Sequence, residues 1–332
     1  MIIFEPTRTY HPFKAAWAME LAEEHSISLY WDKHQLEFTD DIRQYHSKDG
    51  LKTANVSHES NKNMLAKNLS VFTQSDVAVG ELYCRLLPYV KNNEIRNWFM
   101  VAAARESTHQ RCYAAAVEEL GFPESTWGEF MEYKAMSDKI DLISAASEDL
   151  SKPINFAKTL AQLLLAEGIA LFGAFASMLN LKRFGLMMGV NKINEWSLRD
   201  EERHVYGNIL ALNDVKSYLT DVELVELNEF IVEAVTRYRA AEHKFIELAY
   251  EMGPQEGMTE GDMKDYIDYL CDLRLERLGL DPIYGTKDNP LEWMDWLLTG
   301  RKHVNFFENR VSQYDHLGLI GGVEYDKYAS YL

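Results

Sequence analysis

The sequence predicts an all-α protein built round a four-helix bundle, and three observations carry that expectation. Apolar residues recur at helical spacing over long segments, and strand-like alternation is scarce. Only 8 prolines and 18 glycines punctuate the 332 residues. The residues that bear chemistry fall on four helical stretches, in pairs set apart by helix–turn–helix distances.

Taken in order, residues 12–25 form a first helix, and an extended stretch holding Tyr30 and Trp31 follows. The segment DDIRQYHS begins another helix. Residues 61–90 form a long helix that contains Asp76. Residues 92–120 carry Glu106 and His109 and stop at Gly121-Phe122-Pro123, since a glycine at the helix end and a proline beyond it cannot continue the turn. Residues 125–148 form one or two shorter helices, and Pro153 precedes the helix of Glu167. Residues 185–212 hold Glu201 and His204. Residues 221–251 and 259–278 are amphipathic helices, the second ended by GLDP. A loop runs from Gly279 to Pro290, and 290–299 and 301–313 are short terminal helices. The expected organisation is therefore one helical domain over 1–314 with an N-terminal arm (1–25). A tail, 315–332, carries Gly-Gly and exposed tyrosines and stands outside the core.

Composition narrows the function. The chain is 47% hydrophobic and 26% charged, as globular proteins are, with a net charge of -18. That acidity argues against binding nucleic acid or an anionic membrane. The three cysteines, Cys84, Cys112 and Cys271, lack any CxxC spacing and read as free thiols of a reducing cytoplasm. The N-terminus shows no basic segment followed by an apolar one. One apolar run, 160–179, is long enough to raise the question of a membrane span. Gln162, Glu167 and the small residues Gly168, Gly173 and Ser177 favour a buried core helix instead.

Glu167 is the only ionisable residue in that run. A carboxylate buried there must be neutralised, paired or bound to a metal. Two E-x-x-H pairs, Glu106/His109 and Glu201/His204, flank it in the sequence, each with both side chains on one helix face. Either pair alone would pass for a solvated contact. With Asp76 the set becomes four carboxylates and two histidines on four helices, the ligand set of a carboxylate-bridged site for two transition-metal ions. Imidazole and carboxylate suit iron or manganese, and neither zinc-type Cys/His spacing nor HExxH is present. Thirty residues separate Asp76 from Glu106 and thirty-four separate Glu167 from Glu201, so each pair can face across a helical hairpin. Tyr113 lies four residues after His109 on the same face. It reads either as a core tyrosine or as a redox-active one beside the metals, and Cys112 reads as a small buried residue.

These residues, in this order, resemble the small subunit of class I ribonucleotide reductase, over about residues 25 to 314. The matching segments are FTQSD ending at Asp76, RESTHQRCY (105–113), AEGIALFGAF around Glu167, SLRDEERH (197–204), YIDYLCDLRLERLGL, NPLEW and NFFE (305–308). The resemblance implies a ferritin-like four-helix bundle core with additional helices and a radical on Tyr113. It implies an electron path from Trp31, in SLYWDKHQ, through Asp200 to His109. Leu171 and Phe175 fit the family's apolar tyrosine pocket, whereas Ser197 is polar where an aliphatic residue is usual. The resemblance also implies a homodimer, a separate large catalytic subunit as partner, and an interfacial redox tyrosine in the tail. Tyr325 is the candidate for that tyrosine, with Tyr328 close behind. No phosphate-binding glycine loop is visible, which places the nucleotide in the other subunit. The rival readings are another dimetal oxidase or monooxygenase on the same bundle, and a non-catalytic helical metal-binding or storage protein.

Overall fold

The computed structural model describes residues 2–6, 13–123 and 132–295. The chain divides into a unit from Met1 to Pro290 and a second from Leu291 to Leu332, of which only 291–295 are described, with a helical turn at 292–295. The boundary at 314, the helix expected over 301–313 and the tail lie outside the described residues.

Ten α-helices make up the described part of the first unit, with no strand among them beyond one isolated bridge between Gln255 and Met258. They are α1 (Ala16–Glu23), α2 (Thr39–His46), α3 (His58–Leu86), α4 (Asn93–Glu119), α5 (Lys134–Ser144), α6 (Pro153–Leu165), α7 (Phe172–Arg183), α8 (Met188–Lys216), α9 (Asp221–Ala249) and α10 (Glu260–Arg277). The starts follow capping chemistry. Ser57 accepts the Ser60 N–H ahead of α3, and Asn92 accepts the Ile95 N–H ahead of α4. Thr220 with Glu223, and Thr259 with Asp262, form capping boxes on α9 and α10. The start of α8 is held from a distance, where the Asp41 carboxylate of α2 accepts the N–H groups of Gly189 and Val190 at 3.2 and 2.7 Å.

Helix α3 packs on α4, and α6 packs on α8. These two pairs close on one another round a common interior, with α1 against α4 and α9 against α6. The apolar run from Leu160 to Leu179 is buried throughout. By length and composition it could cross a membrane, but its most apolar stretch lies wholly inside the fold. This is the core helix that Glu167 and the small residues favoured.

That run is not one regular helix. Residues Ala166–Ala170, with Glu167 among them, form a π turn between α6 and α7. A π turn carries one residue more than an α turn and displaces the local backbone hydrogen bonds. Buried side chains take up the displaced groups. Arg274 of α10 donates its Nε–H to the Gly168 carbonyl at 3.0 Å, and the Glu242 carboxylate of α9 lies against Gly173. Both approaches require glycine: a Cβ on Gly168 would lie 2.9 Å from Arg274 Nε, and one on Gly173 2.6 Å from Glu242 Oε2. Glu242 in turn pairs with Lys139 of α5 at 2.5 Å, with both side chains fully buried. A buried pair survives only when each charge is matched, so the π turn is braced by a charged, specifically paired arrangement. A second π turn, Glu24–Ser28, continues α1 and carries the buried His25.

Candidate metal centre

Four elements converge on one buried point. Helix α3 supplies Asp76, α4 supplies Glu106 and His109, the π turn supplies Glu167, and α8 supplies Glu201 and His204. On α4 the buried positions Trp98, Ala102, Glu106, His109 and Tyr113 follow one another at three- and four-residue steps. On α8 the same steps connect Asn194, Ser197, Glu201, His204 and Asn208. Each helix therefore turns one stripe to the interior, and on both stripes part of the apolar content is replaced by ligand-type groups.

The six residues form two overlapping sets. Asp76, Glu106, His109 and Glu201 bring ligand atoms within 4.8 Å of one another, and so do Glu106, Glu167, Glu201 and His204. Glu106 and Glu201 belong to both, as carboxylates that bridge two ions must. His109 Nδ1 stands 3.3 Å from Glu106 and 3.2 Å from Glu201. His204 Nδ1 stands 3.1 Å from each of Glu106, Glu167 and Glu201. Both imidazoles thus turn Nδ1 inward. Asp76 Oδ2, both Glu106 oxygens, Glu167 Oε1 and Glu201 Oε1 are buried with no aligned hydrogen-bond donor. Buried acceptors of this kind aimed at a shared centre fit cations, and two divalent ions would balance the four carboxylates.

The electrostatics say the same. Burial pushes Asp76 well above the usual carboxylate range, and pushes Glu167 up to about 8. Burial acts on Glu106 in the same sense, but the two imidazoles beside it outweigh it and hold Glu106 at about 2. Burial opposes charge on His109 and His204, yet Glu106 and Glu167 respectively lead the carboxylates that raise both well above the ordinary histidine value. Protons thus take the place of cations when metal is withheld, and the pH dependence follows. Between the ordinary carboxylate pKa and about 8, the folded chain holds more protons than the unfolded one through Asp76 and Glu167, joined above the ordinary histidine pKa by His109 and His204. Its stability must therefore fall as pH rises through that window. Glu106 works the other way, stabilising above its ordinary pKa and losing this as pH falls towards 2. Metal-free protein should melt several degrees lower near pH 8 than near pH 5.5, with a flatter profile after metal loading. Thermal unfolding of both forms across that range is the check, and a metal-free melting temperature that rises with pH would contradict the assignment.

Around the cluster, Trp31 Nε1 donates to Asp200 Oδ2 at 2.7 Å, and the same oxygen lies 3.3 Å from His109 Nε2. Trp31, Asp200 and His109 are thus continuous, and the Trp31 and His109 rings stack at 5.6 Å. Arg105 completes the group, donating to Asp200 Oδ2 from Nε at 3.1 Å and Nη2 at 2.8 Å and to the Trp31 carbonyl at 3.3 Å. Burial opposes ionisation of Asp200, but the His109 hydrogen bond and the Arg105 charge hold its carboxyl far below the usual range. Tyr113 is fully buried, stacked on Phe72 at 4.5 Å, with its hydroxyl 3.4 Å from Asn194 Oδ1. Phe175 packs on Phe72, while Leu171, just ahead of α7, and Ser197 of α8 are buried as well. Burial, then the Asp76 charge, pushes the Tyr113 hydroxyl well up. Cys112 is an inert buried thiol, raised by burial to about 11. Tyr325 and Tyr328 lie outside the described residues.

Several partners escaped the sequence reading. Tyr83 and Asn208 donate to Glu167 Oε2 at 3.2 and 2.8 Å. Asn194 meets Tyr113, Arg105 meets Asp200, and His25 lies beside His204 with its rings' centroids 5.1 Å apart. Asn208 stands four residues after His204, so the helix-face rule that paired Glu201 with His204 could have reached it.

A model of the ribonucleotide reductase small chain matches residues 7–290. The probable ribonucleoside-diphosphate reductase small subunit of Invertebrate iridescent virus 3 is 29% identical over 330 residues, covering 94% of this chain and 85% of its own. The fold is shared with the ribonucleotide reductase R2 subunit from Clostridium botulinum, at a TM-score of 0.74 and 19% identity over 88% of this chain and 90% of that one. It is shared also with the ribonucleotide reductase Rnr4 homodimer of Saccharomyces cerevisiae, at a TM-score of 0.72 and 18% identity over 94% and 92%.

Proposed function

The chain belongs to the ribonucleotide reductase small-chain family, and from that premise we propose that it is the radical-generating subunit of a ribonucleoside-diphosphate reductase. The observation that carries this reading is the Trp31–Asp200–His109 contact, which leads from the carboxylate cluster towards the surface. A storage protein has no use for such a path, and neither does an oxidase whose substrate reaches the metals directly. Tyr30, next to Trp31, is 59% exposed, so the path comes within one residue of solvent.

Asp76, Glu106, His109, Glu167, Glu201 and His204 would hold two transition-metal ions, iron first and manganese as the alternative, since the donor set suits both. Such ions, when bound and reduced, supply the redox chemistry that oxidises a neighbouring tyrosine with dioxygen or a derived oxidant. Tyr113 is that tyrosine. A phenol with an ordinary pKa of about 10 must lose a proton as it loses an electron. The amide oxygen of Asn194 orients the hydroxyl but is too weak a base to keep its proton. Asp76 Oδ2 is buried without a donor and its charge acts on the Tyr113 hydroxyl, so Asp76 is the candidate acceptor within the chain. The apolar and aromatic walls of Phe72 and Phe175 exclude water from the oxidised ring.

The oxidising equivalent then leaves through Trp31. Asp200 and Arg105 hold the indole N–H and the backbone of Trp31 in one place, so the outward step begins from a fixed geometry. Its destination is a cysteine of a separate large subunit that binds the nucleotide, reached by way of a tail tyrosine, Tyr325 in this reading. The chain works in the cytoplasm as a homodimer, the state in which the Rnr4 protein of Saccharomyces cerevisiae is found. The metal-loaded chain mixed with the large subunit should reduce ribonucleoside diphosphates. Deleting 315–332 should abolish that turnover while leaving metal content and the Tyr113 radical signal intact. Full turnover by the truncated chain would place docking and radical exit elsewhere.

A further inference from the structure

The two inward-facing histidines are held differently on their outer sides. His109 Nε2 meets Asp200, whereas His204 Nε2 is buried with no protein acceptor. A metal-binding imidazole ordinarily donates its second N–H, which fixes its tautomer and orientation. Two rings pack against His204 and against each other. His25 lies 5.1 Å from it, Trp98 lies 5.8 Å from it, and His25 and Trp98 are 5.2 Å apart, all centroid to centroid. Both ring nitrogens of His25 and the indole nitrogen of Trp98 are likewise buried without a partner. His25 is wholly buried, and it is placed there by the π turn that continues α1, an irregularity common at functional positions.

We propose that His25 is a positioning residue for the His204 half of the metal centre, accepting the His204 Nε2–H through one bridging water that also takes the Trp98 indole N–H. One water would meet three of these four unpartnered nitrogens. The water accepts from His204 and from Trp98 and donates to the bare nitrogen of His25, three bonds in all, as buried waters typically make. A neutral imidazole carries its proton on one ring nitrogen and leaves the other free to accept. The arrangement parallels Asp200 behind His109, with a second imidazole in the place of the carboxylate.

The inference rests on His204 being a metal ligand, and the experiment separates the two. Cobalt(II) titration of the full-length chain is followed by absorption, and proton NMR of the loaded protein counts the exchangeable, metal-shifted imidazole N–H signals. Two bound ions and two such signals are expected. His25→Leu should weaken one ion about 10- to 100-fold and shift one N–H signal or speed its exchange, leaving the other unchanged. His25→Gln, which restores an acceptor, should recover most of the affinity and the second signal. Failure of the unsubstituted chain to bind cobalt would sink the metal reading and this inference together. Normal cobalt binding with His25→Leu indistinguishable from it would sink the inference alone. Equal loss in His25→Leu and His25→Gln would reduce His25 to a packing residue and also overturn the proposal.

Discussion

Tyr113→Phe should give a chain that folds, binds its metals and shows no tyrosyl radical. The substitution removes one hydroxyl, whose hydrogen bond to Asn194 is long at 3.4 Å. Losing so weak a bond while keeping the ring stacked on Phe72 should change stability by about 1 kcal/mol or less. Metal content should not move, because Tyr113 is no part of either ligand set. The effect on the radical is all or none, since a phenylalanine has no hydroxyl proton to release and a far higher oxidation potential. Electron paramagnetic resonance after metal loading and exposure to oxygen is the measurement. An undiminished organic radical signal in the variant would move the assignment to another aromatic residue. Reductase turnover should disappear with the signal.

The second large effect concerns the shared carboxylates. Because Glu106 and Glu201 lie in both ligand sets, Glu201→Ala should bring the metal content of the loaded, desalted protein from two ions per chain to near none. Asp76 and His204 each lie in one set, so Asp76→Ala or His204→Ala should leave about one ion. Elemental analysis reads the difference directly. A Glu201→Ala protein that retains one tight ion would show that the two sets are independent sites. A wild-type chain that takes up neither iron nor manganese would remove the dimetal reading altogether. The comparison is sharper than loss of activity, which any of these substitutions would cause.

The cluster was legible in the sequence because of its combination of residues. A lone glutamate among apolar residues cannot be ordinary core, and two E-x-x-H pairs, one of them on an alanine-rich helix, gain meaning only beside it. Helix boundaries were legible at the caps Asn92 and Thr220, whereas at α3 the cap Ser57 was passed over and the helix begins at His58 rather than at 61. The partners of the ligands were hidden, since Tyr83, Asn194 and Asn208 occupy helical positions where a polar residue draws no attention alone. Only the packing of α3, α4 and α8 brings them to Glu167 and Tyr113. The π turn at Glu167 left no mark for a physical reason. Nearly every residue from 160 to 179 is apolar, so a slip of one position leaves the hydrophobic pattern unchanged. Arg105 was in view within RESTH, but its reach to Trp31 and Asp200 depends on two segments far away in the chain.

That π turn gives the six candidate ligands unequal mechanical freedom. Asp76, Glu106, His109, Glu201 and His204 stand on regular helices, where the backbone has a single stiff arrangement. Glu167 stands on a turn with a surplus residue, whose backbone hydrogen bonds are offset from the α pattern and whose Gly168 carbonyl is held by Arg274. Compliance is therefore concentrated in one ligand, at the end of the centre away from Tyr113. When the ions change charge and their preferred distances change, Glu167 is the group expected to swing, and the Asp76 end keeps its separation from the tyrosine. Structures of the metal-free and metal-loaded forms would reveal this as a displacement of Glu167 that exceeds that of the other five ligands, and uniform displacement of all six would refute it. A centre so divided can reorganise at one end without detuning the electron-transfer distance at the other.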